Sequence, residues 1–178
     1  MLDVISAYNR FKFLGHEFLT WLCFVIETDP SLFNRLDSEF VSLDLGGRIV
    51  LENRSGDSLE RITIKGEAAS LEEGFLALKK GALVTELNLI YVSDDKTWQF
   101  TLKGESLNIS NLRVPLSPGN QSAESLESLL LNKTFSCDKV FQILDSLFCH
   151  FIKIRLFPDT WQDNVVLQIA AWLRSKQF

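Results

Sequence analysis

The chain has 178 residues, a formal net charge of −5 and 46% hydrophobic residues, with 14 Phe and 4 Trp. That length suits one domain spanning 1–178, able to bury about 70% of its unfolded surface without staples, and the apolar content excludes a disordered chain. No apolar run reaches the ~18 residues of a membrane span, MLDVISAYNRFKF lacks the pattern of a signal peptide, and Cys23, Cys137 and Cys149 read as reduced core thiols, so a soluble cytoplasmic protein is expected.

Charge is uneven along the chain. Residues 1–60 carry 5 basic and 10 acidic side chains, residues 61–115 carry 7 of each, and residues 116–178 carry 6 of each. A nucleic-acid surface therefore has to come from the later two-thirds, or from an arrangement that concentrates scattered cations.

In KFLGHEFLTWLCF, Leu14, Phe18, Trp21, Leu22 and Val25 share one side at helical spacing, while His16, Thr20, Cys23 and Glu27 share the other. The spacing predicts an amphipathic helix from about residue 3 or 12 to Glu27, stopped before Asp29-Pro30. Its His16-Glu17 pair does not open a zinc-hydrolase motif, because the second imidazole of H-E-x-x-H is replaced by Thr20. The polar side reads as a solvated stripe rather than a partial metal site, since a site needs more ligands at ligand spacing.

From Phe40 the period changes to two. FVSLDL, RIVLENR after Gly46-Gly47, and LERITIKG after Ser55-Gly56-Asp57 predict three strands with hairpin turns. Next, Ser70 with Glu73 predicts a capping box, Leu71, Phe75 and Leu78 an apolar helical stripe, and Gly81 a helix stop. LVTELNLIYV, a turn at Ser93-Asp94-Asp95, KTWQFTLKG and ESLNISNLRVP give three more strands. The βββ-α-βββ order hints at a duplication without a residue-level repeat.

PLSPGNQSA is the one linker-like stretch, and the loop at 115–122 separates the sheet part from helical segments. SAESLESLLLNK predicts a short helix, and DKVFQILDSLFCHFIKIRLF a long one that buries Val140, Ile143, Leu144, Leu147, Phe148 and Phe151 and ends at Pro158. DTWQDNVVLQIAAWLRSKQF is the last helix, capped by Asp159 or Thr160. The expected fold class is α+β: a largely antiparallel sheet of about six strands with one inserted helix, an N-terminal helix and a C-terminal helical segment.

No pattern carries catalysis. Cys149-His150 are neighbours whose side chains leave a helix about 100° apart, which reads as a core thiol beside a boundary imidazole rather than a dyad. Gly46-Gly47 and Gly104 stand outside any phosphate-loop spacing. Glu72-Glu73 suit a helix N-terminus and Asp94-Asp95 a hairpin tip. A non-enzyme without metal, cofactor or small-molecule substrate is expected. What remains is surface: Lys65, the pair Lys79-Lys80 at a helix end, Lys96 and Lys103 around one strand, Arg113, and the C-terminal Lys153, Arg155, Arg174 and Lys176. Spacing alone leaves open whether any of these converge or serve only solubility.

ITIKGEAASLEEGFLALKKGALVTELNLIYVSDDKTWQFTL, residues 62–102, resembles the later part of the recombination-associated protein RdgC family. The matching pattern is a basic strand (Ile62, Lys65), a Glu72-Glu73 helix ended by Gly81, a strand with Val84, Thr85, Leu87 and Leu89, and a hairpin into Gln99-Phe100. FLGHEFLTWL is similar to a signature of shorter bacterial relatives, which usually have Arg at the His16 position. The likeness covers about 40 residues closely and about 120 loosely. Longer members are ring-shaped dimers that bind duplex DNA with little sequence preference and restrain recombinase filaments; this chain is much shorter.

The resemblance implies a bacterial, nucleoid-associated protein that binds double-stranded DNA and regulates recombination, with Lys65, Lys79, Lys80, Lys96, Lys103 and Arg113 as phosphate contacts. The alternative is a homodimer, or a scaffold for a recombination protein, that keeps the fold without DNA. Phe13, Trp21, Phe24, Trp161 and Trp172 are its candidate anchors, because aromatics dominate interface hot spots.

Overall fold

The computed structural model describes residues 11–36, 42–55, 58–66, 72–115 and 126–175. The capping-box Ser70, the stripe residue Leu71 and the linker residues 116–122 lie outside these. The fold is α+β: one open antiparallel sheet of five strands with helices before, within and after it.

Helix α1 (Phe13–Thr28) is followed by α2 (Ser31–Leu36), then strands β1 (Ser42–Ser55) and β2 (Ser58–Lys65). Helix α3 (Glu72–Lys79) leads into the meander β3 (Leu83–Ser93), β4 (Lys96–Lys103) and β5 (Ile109–Arg113). Helix α4 (Leu126–Arg155) follows, then a helical turn Pro158–Thr160, a π-helical turn Trp161–Val165, and α5 (Val166–Ser175). Strand order is β2-β1-β3-β4-β5. Both β2 and β3 run antiparallel to β1, so they are parallel to each other and α3 makes the crossover between them.

Among the described residues the sheet has five strands rather than six because SLDL and RIVLENR form one strand. Gly46-Gly47 is a bulge inside β1, not a turn: β3 pairs with both halves, and the register shifts between Leu45 and Ile49. A Cβ on Gly46 would sit 2.0 Å from Asn88 Oδ1, so a side chain there would collide with β3. Asp94 and Asp95 both take positive φ (48° and 61°), the two-residue hairpin geometry, and Gly81 (φ 91°) terminates α3.

The described helices lie on one face of the sheet. Ile49, Leu51, Ile64, Leu87, Leu89 and Phe100 join one apolar cluster with Phe18 and Leu22 of α1, Phe75 of α3, Leu147 and Phe151 of α4, and Trp172 of α5. Cys23 is also in that cluster, which corrects the solvated-stripe reading of α1. Thr20 of the same stripe accepts a bond from the Val84 amide at 3.3 Å, so α1 is enclosed on nearly all sides. Among the described residues, no helix is long and apolar enough to cross a membrane.

Two further corrections concern the C-terminal helices. The short and long segments fuse into α4, a single 30-residue helix, because no Gly or Pro interrupts them. The last segment begins with Pro158 at its first turn, after Phe157, rather than with Asp159 or Thr160 as cap.

Candidate nucleic-acid interface

Period two sorts the strand residues between the faces. On β2, Ile62 and Ile64 point to the helices, so Arg61, Thr63 and Lys65 point away. Their partners on β1 are Glu52, Val50 and Arg48. Val50 in turn pairs with Glu86, and Glu86 with Lys103. Ile90 pairs with Gln99, and Gln99 with Arg113. These residues form the face opposite the helices; Val50 is fully buried yet stands outside the helix-side core.

Of the six expected phosphate contacts, the fold gathers Lys65, Lys103 and Arg113 on this face, all exposed. The other three do not join them. Lys96 starts β4 with the parity of Trp98 and Phe100, so it belongs to the helix side at a hairpin end beside Asp94-Asp95. Lys79 and Lys80 sit at the C-terminal end of α3, in the helix layer. Two cations that the spacing argument missed, Arg48 and Arg61, also lie on the open face. Alternation with Ile49 and Leu51, and with Ile62 and Ile64, was the signal that would have found them.

Glu86 organises the arginines. Its carboxylate, only 15% exposed, meets Arg61 Nη2 at 2.6 Å and Arg48 Nη2 at 3.1 Å; Arg61 Nε also lies 3.9 Å from Glu52. Lys65, Lys103 and Arg113 make no ion pair among the described residues. Arg113 donates to Gln99 Oε1 at 3.5 Å, Gln99 donates to Asn88 Oδ1 at 3.1 Å, and Asn88 donates to the Phe100 carbonyl at 3.0 Å. That chain fixes a row of amides between the cations. Among the described side chains of this face, the carboxylates are Asp44, Glu52 and Glu86, against the five cations Arg48, Arg61, Lys65, Lys103 and Arg113.

Where the face ends, α1 closes a cleft of about 230 Å³ lined by Lys12, His16, Arg61, Glu86, Lys103 and Glu105. Gly15 permits this approach: a Cβ there would fall 1.8 Å from the Gly104 carbonyl oxygen in the β4–β5 turn. Lys12 Nζ lies 3.6 Å from Glu105, so cations and carboxylates are mixed in the cleft. The His16 position therefore borders Lys103, and an Arg there would extend the cationic face.

The aromatic anchors are placed differently from the interface expectation. Trp21, Trp161 and Trp172 are 2–6% exposed and pack inside the protein. Trp21 lies 5.7 Å from Phe151 and Trp161 lies 5.4 Å from Phe151, between ring centroids. Trp172 is held between Phe24 and Phe75 at 5.5 and 5.1 Å, and donates to Glu27 Oε2. Of that set, only Phe13 is exposed.

The thiols and imidazoles do not meet as a dyad. Cys23 is buried, and burial together with the nearby Glu27 pushes its thiol up to about 12, which keeps it protonated. Cys149 is exposed, while His150 turns inward against Trp21 at 6.0 Å. Burial, then Lys153 and Arg35, holds the His150 imidazole below its ordinary value. No cluster of three or more His, Cys, Asp or Glu suited to a metal occurs among the described residues.

Compared with family models, characterised proteins and solved structures, the chain matches none.

Proposed function

We propose that this protein is a non-enzymatic, RdgC-like module that binds duplex DNA without sequence preference through the open face of its sheet, and so modulates recombination at the bacterial nucleoid. The observation that carries the reading is the convergence of Lys65, Lys103 and Arg113, which lie on three different strands, on the face of the sheet that carries none of the described helices, in a protein whose net charge is −5.

With a strand spacing of ~4.8 Å and a rise of ~3.3 Å per residue, the three cations form a triangle with sides of roughly 14 to 20 Å. The major groove is ~12 Å wide, so the triangle reaches phosphates on both of its walls. Among the described residues of this face there is no aromatic ring on which unpaired bases could stack, and its uncharged hydrogen-bonding groups are amides and hydroxyls. Both features favour backbone contact with a duplex over single-strand binding.

Titration of a labelled duplex by fluorescence anisotropy tests the reading. Three phosphate contacts give a slope of log affinity against log salt of about −2.7, which is roughly a 40-fold loss between 50 and 200 mM. Absence of duplex binding at micromolar protein in low salt overturns it.

A further inference from the structure

The geometry points to a second binding surface, in the helix layer: a trough along α4 that takes a basic amphipathic helix from another protein. This surface is independent of the DNA reading and lies on the opposite side of the sheet.

Over its C-terminal half α4 buries Val140, Ile143, Leu144, Leu147 and Phe151. Toward the N-terminus the body falls away beyond Ser136, whose carbonyl accepts the Trp98 indole N–H at 3.0 Å. Every residue from 126 to 135 is exposed, and Leu126 and Leu130 present 74% and 57% of their surface. At 3.6 residues per turn Leu126, Leu129 and Leu130 continue the stripe that is buried further along. A helical stretch this short is marginal in water by itself, and an unpacked apolar stripe on it marks a contact surface.

The stripe runs into an apolar groove of about 310 Å³. Phe141, Leu144 and Phe148 form one wall, and Leu102, Leu107 and Ile109 the other. Charge selects the occupant. Glu127, Asp138 and Asp145 follow each other at about three and two turns, so they share one helix edge beside Leu130 and Phe141. All three are exposed, and Asp145 itself lines the groove. An acidic edge along an apolar trough fits a helix with apolar anchors at i, i+3, i+4 and i+7 bordered by Lys or Arg. The α4 of a second copy would bring the same carboxylates against these, and such like-charge juxtaposition is unfavourable.

The test uses the intact protein and two labelled peptides of about five helical turns, one Leu/Lys and one Leu/Glu with the same apolar spacing. Saturable binding of the Leu/Lys peptide is expected in fluorescence anisotropy. Leu130→Glu or Phe141→Glu should weaken it at least about tenfold. Asp138→Lys with Asp145→Lys, at exposed positions that leave the circular-dichroism spectrum unchanged, should make the Leu/Glu peptide the better ligand. Equal binding of both peptides, no binding, or indifference to the charge reversal overturns the proposal. So does a dimer in light scattering that Phe141→Glu dissociates, because the trough would then hold a second copy.

Discussion

Gly15 and Gly104 set how closely α1 approaches the sheet, and a methyl group is enough to separate them. Gly→Ala inside a helix ordinarily stabilises by up to about 1 kcal/mol. Here the added Cβ would meet the Gly104 carbonyl at 1.8 Å, backbone that cannot swing aside. Gly15→Ala should therefore destabilise by about 1–3 kcal/mol, as overpacking does, read as a fall in the urea midpoint. A rise would mean that α1 does not touch the β4–β5 turn. His150 supplies a pH dependence of definite sign. Its folded-state value is held below that of the unfolded chain, near 6.5, so unfolding takes up a proton between the two values and stability rises with pH across that window. The melting temperature should drop as pH falls below about 6.5, and His150→Gln should remove that part of the drop. Burial of this kind was not legible along the chain. A helical projection sorts α1 into an apolar and a polar side, but it cannot show that the polar side also meets neighbours, as Cys23 and Thr20 do.

Element boundaries were lost wherever a local signal had two outcomes. Gly46-Gly47 suits a turn or a bulge equally well; the long β3, pairing with residues on both sides, makes it a bulge and leaves five strands. Asp94-Asp95, Gly81 and the Phe75-Leu78 stripe had one reading each, and the fold follows it. In α4 the gap expected between Lys133 and Asp138 is absent, because nothing there breaks a helix. The consequence is an element with two unequal halves. Amides over residues 127–135 should exchange with solvent much faster than those over residues 140–151, because opening the exposed half disrupts no core packing. Hydrogen exchange resolved along α4 checks this; uniform protection would show that the N-terminal half is packed.

For the whole molecule, shape sorts charge that looks scattered along the chain. Residues 61–115 are electrically balanced, yet strand parity sends Arg61, Lys65, Lys103 and Arg113 to one face and leaves Lys79, Lys80 and Lys96 on the other side. Along the chain the six cations were legible only as residues near strands and a helix end. Which of them share a face depended on register, set by pairing partners far away in sequence. The most direct measurement compares two triple variants in duplex titrations over a range of salt. Lys65→Gln with Lys103→Gln and Arg113→Gln should flatten the log–log slope by about 2.7, roughly 0.9 for each lost phosphate contact, while Lys79→Gln with Lys80→Gln and Lys96→Gln should leave it nearly unchanged. Equal flattening by both triples, or by neither, would contradict a DNA surface on the open face of the sheet.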